Sequence, residues 1–291
     1  MEIKSAAFAT LSYFNLFSYP LLEEEVWYWL PIKAGRQEVK KALEELKKER
    51  KIVAKDGFYF LPQNKKIEER KKKESYAEKK IKKAKKAAQI LGFLPGVLLV
   101  GLTGNLAMKA AQEEDDIDFL IITRSGWLWR SRFWAIILLE VLGWRRRPNQ
   151  KKVCNKICLN LFLDENYLAL AKERQDLYTA HEILQMRPLV NKAGTYQRFL
   201  AANFWAASFL PQAFKGRQKE WPKAKAKNLN SPRDIFPCFG EKLLAYLQLK
   251  KIKAHQGSEE ILSGQLFFHP HDRRLELMGK YREVVKEDIC H

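Results

Sequence analysis

Cysteine is scarce in this chain: its 291 residues include four, Cys154, Cys158, Cys238 and Cys290, with no paired CxxC blocks. That excludes a disulfide framework and gives no support to a structural zinc site. Long apolar runs are also missing. The longest near the middle, Phe133 to Leu139, is closed by Arg132 and Glu140, whereas a membrane-spanning helix needs about 20 apolar residues. The opening stretch MEIKSAAFATLSYFNLFSYP is interrupted by Ser12, Asn15 and Ser18 and lacks a small-residue cleavage pattern. It is expected to be a buried helix. These absences lead to an expectation of a reducing cytoplasm and no membrane partner. Acidic residues are outnumbered, 34 Asp+Glu against 53 Lys+Arg, for a formal charge of +19, while 46% hydrophobic content excludes a disordered tail. A clustered surplus of this size selects polyanions, whereas a dispersed one brings only solubility. The length favours two or three structural units over one.

The charge is unevenly placed. Residues 1–62 read as three helices and a hairpin. Phe8, Leu11 and Phe14 stripe the first helix, Pro20 ends it, and LLEEEVWYWL supplies the second with acids at its start. In the third, Val39, Ala42, Leu43 and Leu46 share one face, leaving Arg36, Lys40, Lys41, Lys47 and Lys48 for the other. Asp56-Gly57 then sits between two β-prone runs, as hairpin turn chemistry requires. This order resembles a winged-helix module. The resemblance implies a third helix that enters a nucleic-acid groove, with Lys55 on the wing touching phosphate. Residues 1–63 nevertheless hold ten Lys/Arg against nine Asp/Glu, a weak field for nucleic acid, and a docking or spacer role stays open. The dense charge follows in residues 63–92, where Lys65 to Lys86 carry twelve basic and four acidic residues. Free of Gly and Pro up to Leu91, this stretch reads as a helical connector with a thin apolar stripe of Tyr76, Ile81 and Ala84. It is either a solvated spacer or, with the third helix, a nucleic-acid surface spanning residues 36–86.

Residues 93–165 change character. GVLLVGL reads as a buried strand, Gly104-Asn105 as a turn, Asn105 to about Gln112 as a short helix, and Asp116 to Thr123 as a second strand. Glycine at the turn lets backbone approach a ligand closely, and the helix start offers unpaired N–H groups to a phosphate. Asp116 and Asp118, at i and i+2 of a strand, leave the same face. Two such carboxylates can hold Mg²⁺, which favours carboxylate, water and phosphate oxygens. Burying Asp118 between Ile117 and Phe119 without a cation would be costly, whereas Glu113, Glu114 and Asp115 are explained by a solvated loop.

From Val97 to Thr123, with strand order extending through Leu163, the pattern is similar to the nucleotidyltransferase superfamily related to DNA polymerase β. Its signature is a Gly-Ser turn followed about ten residues later by Asp-x-Asp between hydrophobic strands. Here ten residues lie between Asn105 and Asp116. The resemblance implies an NTP substrate, two Mg²⁺ ions held by Asp116 and Asp118, triphosphate contacts from Gly104 and Asn105, and a lesser phosphate contact from Lys109. The sequence departs from the family at Asn105, where Ser is usual, and at Met108-Lys109, where Arg-Gly is common. A third carboxylate on a later strand is also missing. In ICLNLFL, alternation places Cys158, Asn160 and Phe162 on one face, so Asn160 is expected in that position. An amide there cannot accept a proton as a base would. Asp164 lies too far along the strand.

The Trp-rich segment after Gly126 ends in Arg145, Arg146 and Arg147, which suit a helix C-terminus and could also hold phosphates. Residues 166–291 read as a helical C-terminal domain. By resemblance, such a domain holds base, sugar or acceptor. His269, His271 and Asp272 fit a helix start as well as a metal site. The expectation is an α+β protein: an N-terminal winged helix-turn-helix-like domain, a basic connector, a small mixed β-sheet nucleotidyltransferase core and a C-terminal helical domain. Its expected function is NTP-dependent nucleotidyl transfer to RNA, a protein or a small molecule. The alternative is a nucleic-acid-binding regulator whose fold only senses nucleotide.

Overall fold

A computed structural model of the chain describes residues 1–63, 67–148, 150–220, 239–254, 260–268 and 274–289. The His269/His271/Asp272 cluster, Cys238 and Cys290 lie outside them.

The N-terminal unit contains α1 (Ile3–Asn15), β1 (Leu21–Leu22), α2 (Glu23–Tyr28), α3 (Arg36–Lys48), β2 (Val53–Lys55) and β3 (Phe58–Phe60). The three strands pair antiparallel in the order β1-β3-β2. Asp56 and Gly57 both take positive φ, 52° and 80°, between β2 and β3, as a tight hairpin requires. Helix α1 is buried as expected, and its polar residues do not disturb it. The Thr10 and Ser12 hydroxyls donate to Ala6 O and Phe8 O, each at 2.9 Å, so neither enters the core unpaired.

Helix α4 (Ile67–Gly92) corrects the reading of a solvated connector. Its buried side is Arg70, Lys73, Ala77, Lys80, Ala84, Ala87, Ala88 and Leu91, a three-and-four spacing that forms one helical face. Three of its cations are used inside the fold. Arg70 pairs with Glu25 and Glu74, Lys73 donates to Phe17 O at 3.0 Å, and Lys80 donates to Glu113 O, Asp115 O and Asn155 Oδ1. Lys71, Lys72, Lys79, Lys82, Lys85 and Lys86 remain exposed. The helix is a spine rather than a tether: one end packs on the N-terminal unit and the other lies on the central sheet.

That sheet is built from β4 (Val97–Leu102), the single turn α5 (Gly104–Ala107), β5 (Ile117–Thr123), α6 (Leu128–Val141) and β6 (Ile157–Asp164). They are followed by α7 (Leu177–Gln185), β7 (Arg187–Asn191), α8 (Thr195–Ala202), α9 (Ala206–Phe209), α10 (Pro211–Glu220) and α11 (Phe239–Ala254). The last elements are β8 (Glu260–Leu262), β9 (Gln265–Phe267) and α12 (Arg274–Ile289). Six strands run in the order β7-β4-β5-β6-β9-β8, with β5 and β6 parallel across α6 and every other pair antiparallel. The mixed α/β architecture therefore agrees with the expected class. The segment read as a helical C-terminal domain does not stay separate, because it supplies β7, β8 and β9 to the sheet.

Alternation along β5 divides the core. Ile117, Phe119 and Ile121 face α4 and α6, whereas Leu120 and Ile122 pack with Ile183, Leu184, Phe199 and Phe214 of α7, α8 and α10. By parity Asp118 belongs to the second face. The N-terminal unit is bound to that layer too. Tyr13 of α1 stacks on His181 of α7 with ring centroids 3.9 Å apart, and burial pushes the His181 imidazole down to about 3, so it stays neutral. Among the described residues no helix is long and apolar enough to cross a membrane.

Candidate metal and nucleotide site

Strand β4 ends at Leu102, and Thr103 N donates to Asp118 O at 3.0 Å, carrying the ladder one residue further. Gly104 then turns the chain with φ +65°, and a Cβ built on it would lie 2.7 Å from Asp118 Oδ2. Backbone and carboxylate thus touch where only glycine fits. Gly104→Ala is expected to cost about 1–2 kcal/mol from the left-handed backbone alone and to weaken divalent-ion binding at least tenfold by displacing Asp118. Urea unfolding and calorimetric titration with Mn²⁺ measure the two effects; intact Mn²⁺ affinity would show that Asp118 does not depend on this turn.

The helix after the turn is shorter than the expected Asn105–Gln112. It ends at Ala107, and Lys109 adopts φ 59°. A single turn carries little macrodipole, so any phosphate affinity of the turn depends on backbone N–H groups and nearby cations. Asn105 Nδ2 donates to Asp115 Oδ2 at 3.3 Å, and Gln112 N donates to the same oxygen at 2.9 Å. Lys109 is half-buried and has no ion-pair partner among the described residues.

Asp116 and Asp118 do come together with a third group, although not the expected one. The two aspartates and Cys158 place one ligand atom each within 4.8 Å of one another. In the parallel β5–β6 register Asp118 stands opposite Cys158 and Phe119 opposite Leu159, but Leu120 stands opposite Leu161. Asn160 is the extra residue of a bulge. The bulge breaks the assumed alternation: Phe162 enters the core under α4 and α6, while Cys158 joins the aspartates. Asn160 Oδ1 is instead buried without a hydrogen-bond partner. Asp164 is committed elsewhere, accepting from Asn166 N and Gly126 N.

Two further residues from distant sequence act on the site, one by contact and one by its charge. Arg146 Nη1 donates to Asp116 Oδ2 at 2.5 Å, so the middle arginine of the terminal run does more than cap a helix. Glu182, on α7, adds its charge to the field at Asp118. Burial, then Asp116 and Glu182, push the Asp118 carboxyl up to about 8, against the opposing effects of Arg146 and a hydrogen bond with Cys158. Burial alone pushes Glu182 up to about 7. Burial, then Asp118 and Asp116, hold the Cys158 thiol well above its ordinary value. The site therefore concentrates acidic groups with too little cation to ionise them all. Its two carboxylates fit a hard divalent cation, and the proton retained by Asp118 marks the charge that such an ion would replace. The neutral thiol is not a ligand that Mg²⁺ favours.

No family model, no curated protein and no solved structure matches this chain.

Proposed function

We propose that the chain is a cytoplasmic, Mg²⁺-dependent nucleotidyltransferase that moves a nucleoside monophosphate from an NTP to an acceptor hydroxyl on RNA, a protein or a small molecule. The observation that carries this reading is the Gly104 turn pressed against Asp118, with Asp116 on the same strand face. In the transfer an acceptor oxygen bonds to the α-phosphorus, the bond to the bridging oxygen breaks, and pyrophosphate leaves. Bound Mg²⁺ would supply neutralisation of the phosphate charge. Asp116 and Asp118 are the residues to hold it, and with a thiol as the third group the set suits one ion better than two. Gly104, Asn105 and Lys109 remain the phosphate contacts of this reading. Cys158 is too weakly acidic to take the acceptor's proton at neutral pH. Glu182, near 7, is matched to that task. Incubation with Mg²⁺ and each α-labelled NTP, against RNA, protein and aminoalcohol pools, should give labelled acceptor and one pyrophosphate per label. No transfer from any NTP to any pool would reject the reading.

A second reading, a nucleic-acid-binding regulator with a nucleotide-sensing core, draws support from exposed lysines. Lys40, Lys41, Lys47 and Lys48 on α3 are exposed, as are Lys71, Lys72 and Lys79 on α4. The winged-helix resemblance of the N-terminal unit points the same way, although Glu44 pairs with Lys47 and interrupts the positive face. The triple variant Lys71→Glu, Lys72→Glu, Lys79→Glu separates the readings. Lys80 is left intact because it is buried and holds two carbonyls. A small-molecule enzyme should keep its transfer rate within twofold. A regulator should lose at least tenfold in duplex affinity at 50 mM salt, with a shallower salt slope.

A further inference from the structure

The Asp116/Asp118 site leaves one unusual cation unused. Arg187 opens β7, opposite Leu102 at the end of β4, and helps line a recess of about 470 Å³ with Tyr28, Trp29, Pro188, Arg217 and Glu220. Neither aspartate lines it. The two arginines differ in their commitments. Arg217 is committed: its guanidinium donates to Leu184 O, to Gln185 O at 3.2 Å and to Glu220 Oε2 at 2.7 Å. The half-buried Arg187 has no acceptor for its guanidinium among the described residues. Burial, followed by the like charge of Arg217, makes its protonated form less favourable. A half-buried guanidinium in the field of a second one gains from an anion beside it.

The aromatic wall is fixed in place. The Tyr28 hydroxyl donates to Ala213 O at 3.3 Å, and Tyr28 meets Trp29 edge to face with centroids 4.8 Å apart. Gly216 lets α10 close on that ring, because a Cβ there would lie 2.7 Å from it. A fork that suits two oxygens of one phosphoryl group thus shares a cavity with two fixed aromatic rings. The volume is within the range of small-molecule sites.

We propose that this recess binds a small phosphate ester carrying a flat ring, of the nucleoside monophosphate class, with Arg187 taking the phosphoryl oxygens and Tyr28 and Trp29 the ring. It is a site separate from the Asp116/Asp118 pair and needs no divalent ion. Calorimetric titration of the full chain with AMP in EDTA tests it, with adenosine, inorganic phosphate and benzoate as companion ligands. AMP should bind more tightly than adenosine or phosphate alone. Arg187→Ala should weaken it at least tenfold, Arg187→Lys should weaken it less, and Asp118→Asn should leave it unchanged. Thermal melts of the Arg187 variants should not fall below the parent's, since among the described residues the guanidinium has no acceptor to lose. AMP affinity indifferent to Arg187→Ala, or lost in Asp118→Asn, would overturn the proposal. So would benzoate binding without AMP binding.

Discussion

Asp116→Asn and Asp118→Asn should each reduce nucleotidyl transfer by at least about 10³-fold, equivalent to about 4 kcal/mol of barrier, yet move stability in opposite directions. Asp118 is protonated in the metal-free fold up to about pH 8, while in the unfolded chain it ionises near 4. Between those values the folded state binds the extra proton, so stability falls as pH rises, and the loss is complete above about 8. An amide has no such titration. In EDTA the melting temperature of Asp118→Asn should exceed the parent's at pH 9, with the gap closing toward pH 5. Asp116→Asn instead takes the carboxylate from Arg146, whose side chain is 27% exposed. It should melt below the parent, by about 1–3 kcal/mol for a charged partner left unsatisfied. The same proton should appear in metal binding. At pH 7, Mg²⁺ must displace it from Asp118, so calorimetry in buffers of different ionisation enthalpy should count close to one proton released. Zero protons released, or two variants with the same stability change, would remove the site assignment.

The parts of this site that could be read from sequence were those set by local geometry. The i, i+2 spacing of Asp116 and Asp118 fixes their face once β5 exists, and Gly104 is legible because few residues but glycine turn a chain at positive φ. Alternation put Cys158 and Asn160 on one face and the family resemblance singled out Asn160, but nothing in ICLNLFL announces the bulge that takes Asn160 out of register. Glu182 and Arg146 are legible only after the sheet has brought α7 and the loop after α6 to the start of β5. The strands β7, β8 and β9 were missed because three to five residues between strong helical patterns give period two little to act on. Helix α4 differs from these, since its signal was present and overruled. Arg70, Lys73 and Lys80 fall in step with Ala77, Ala84, Ala87 and Leu91, and composition led them to be read as solvated when spacing placed them on the buried stripe.

Arg70 provides the largest structural test of that stripe. Its side chain is 4% exposed. Nη1 and Nη2 donate to the two oxygens of Glu25 at 2.7 and 2.9 Å, Nε donates to Glu74 at 3.1 Å, and Nη1 also reaches Pro20 O. The guanidinium lies 4.3 Å from the Tyr19 ring centroid and 4.7 Å from that of Phe58. Glu25 is itself structural, because its Oε2 accepts from Leu22 N at 2.8 Å and caps α2. Arg70→Ala therefore removes a bidentate ion pair, a bond to a carbonyl and the filler between two rings. Glu25 and Glu74 retain side-chain exposures of 31% and 35% and regain some hydration, which sets the cost near the low end for a broken buried pair, about 3 kcal/mol. Arg70→Lys keeps the charge without the fork and should cost about half as much. A double-mutant cycle with Glu25→Gln, measured by urea unfolding, should return a coupling of about 1–2 kcal/mol. A cost below about 1 kcal/mol for Arg70→Ala would mean that the N-terminal unit is held to α4 by its apolar contacts alone, and that the buried cations of the spine are tolerated rather than used.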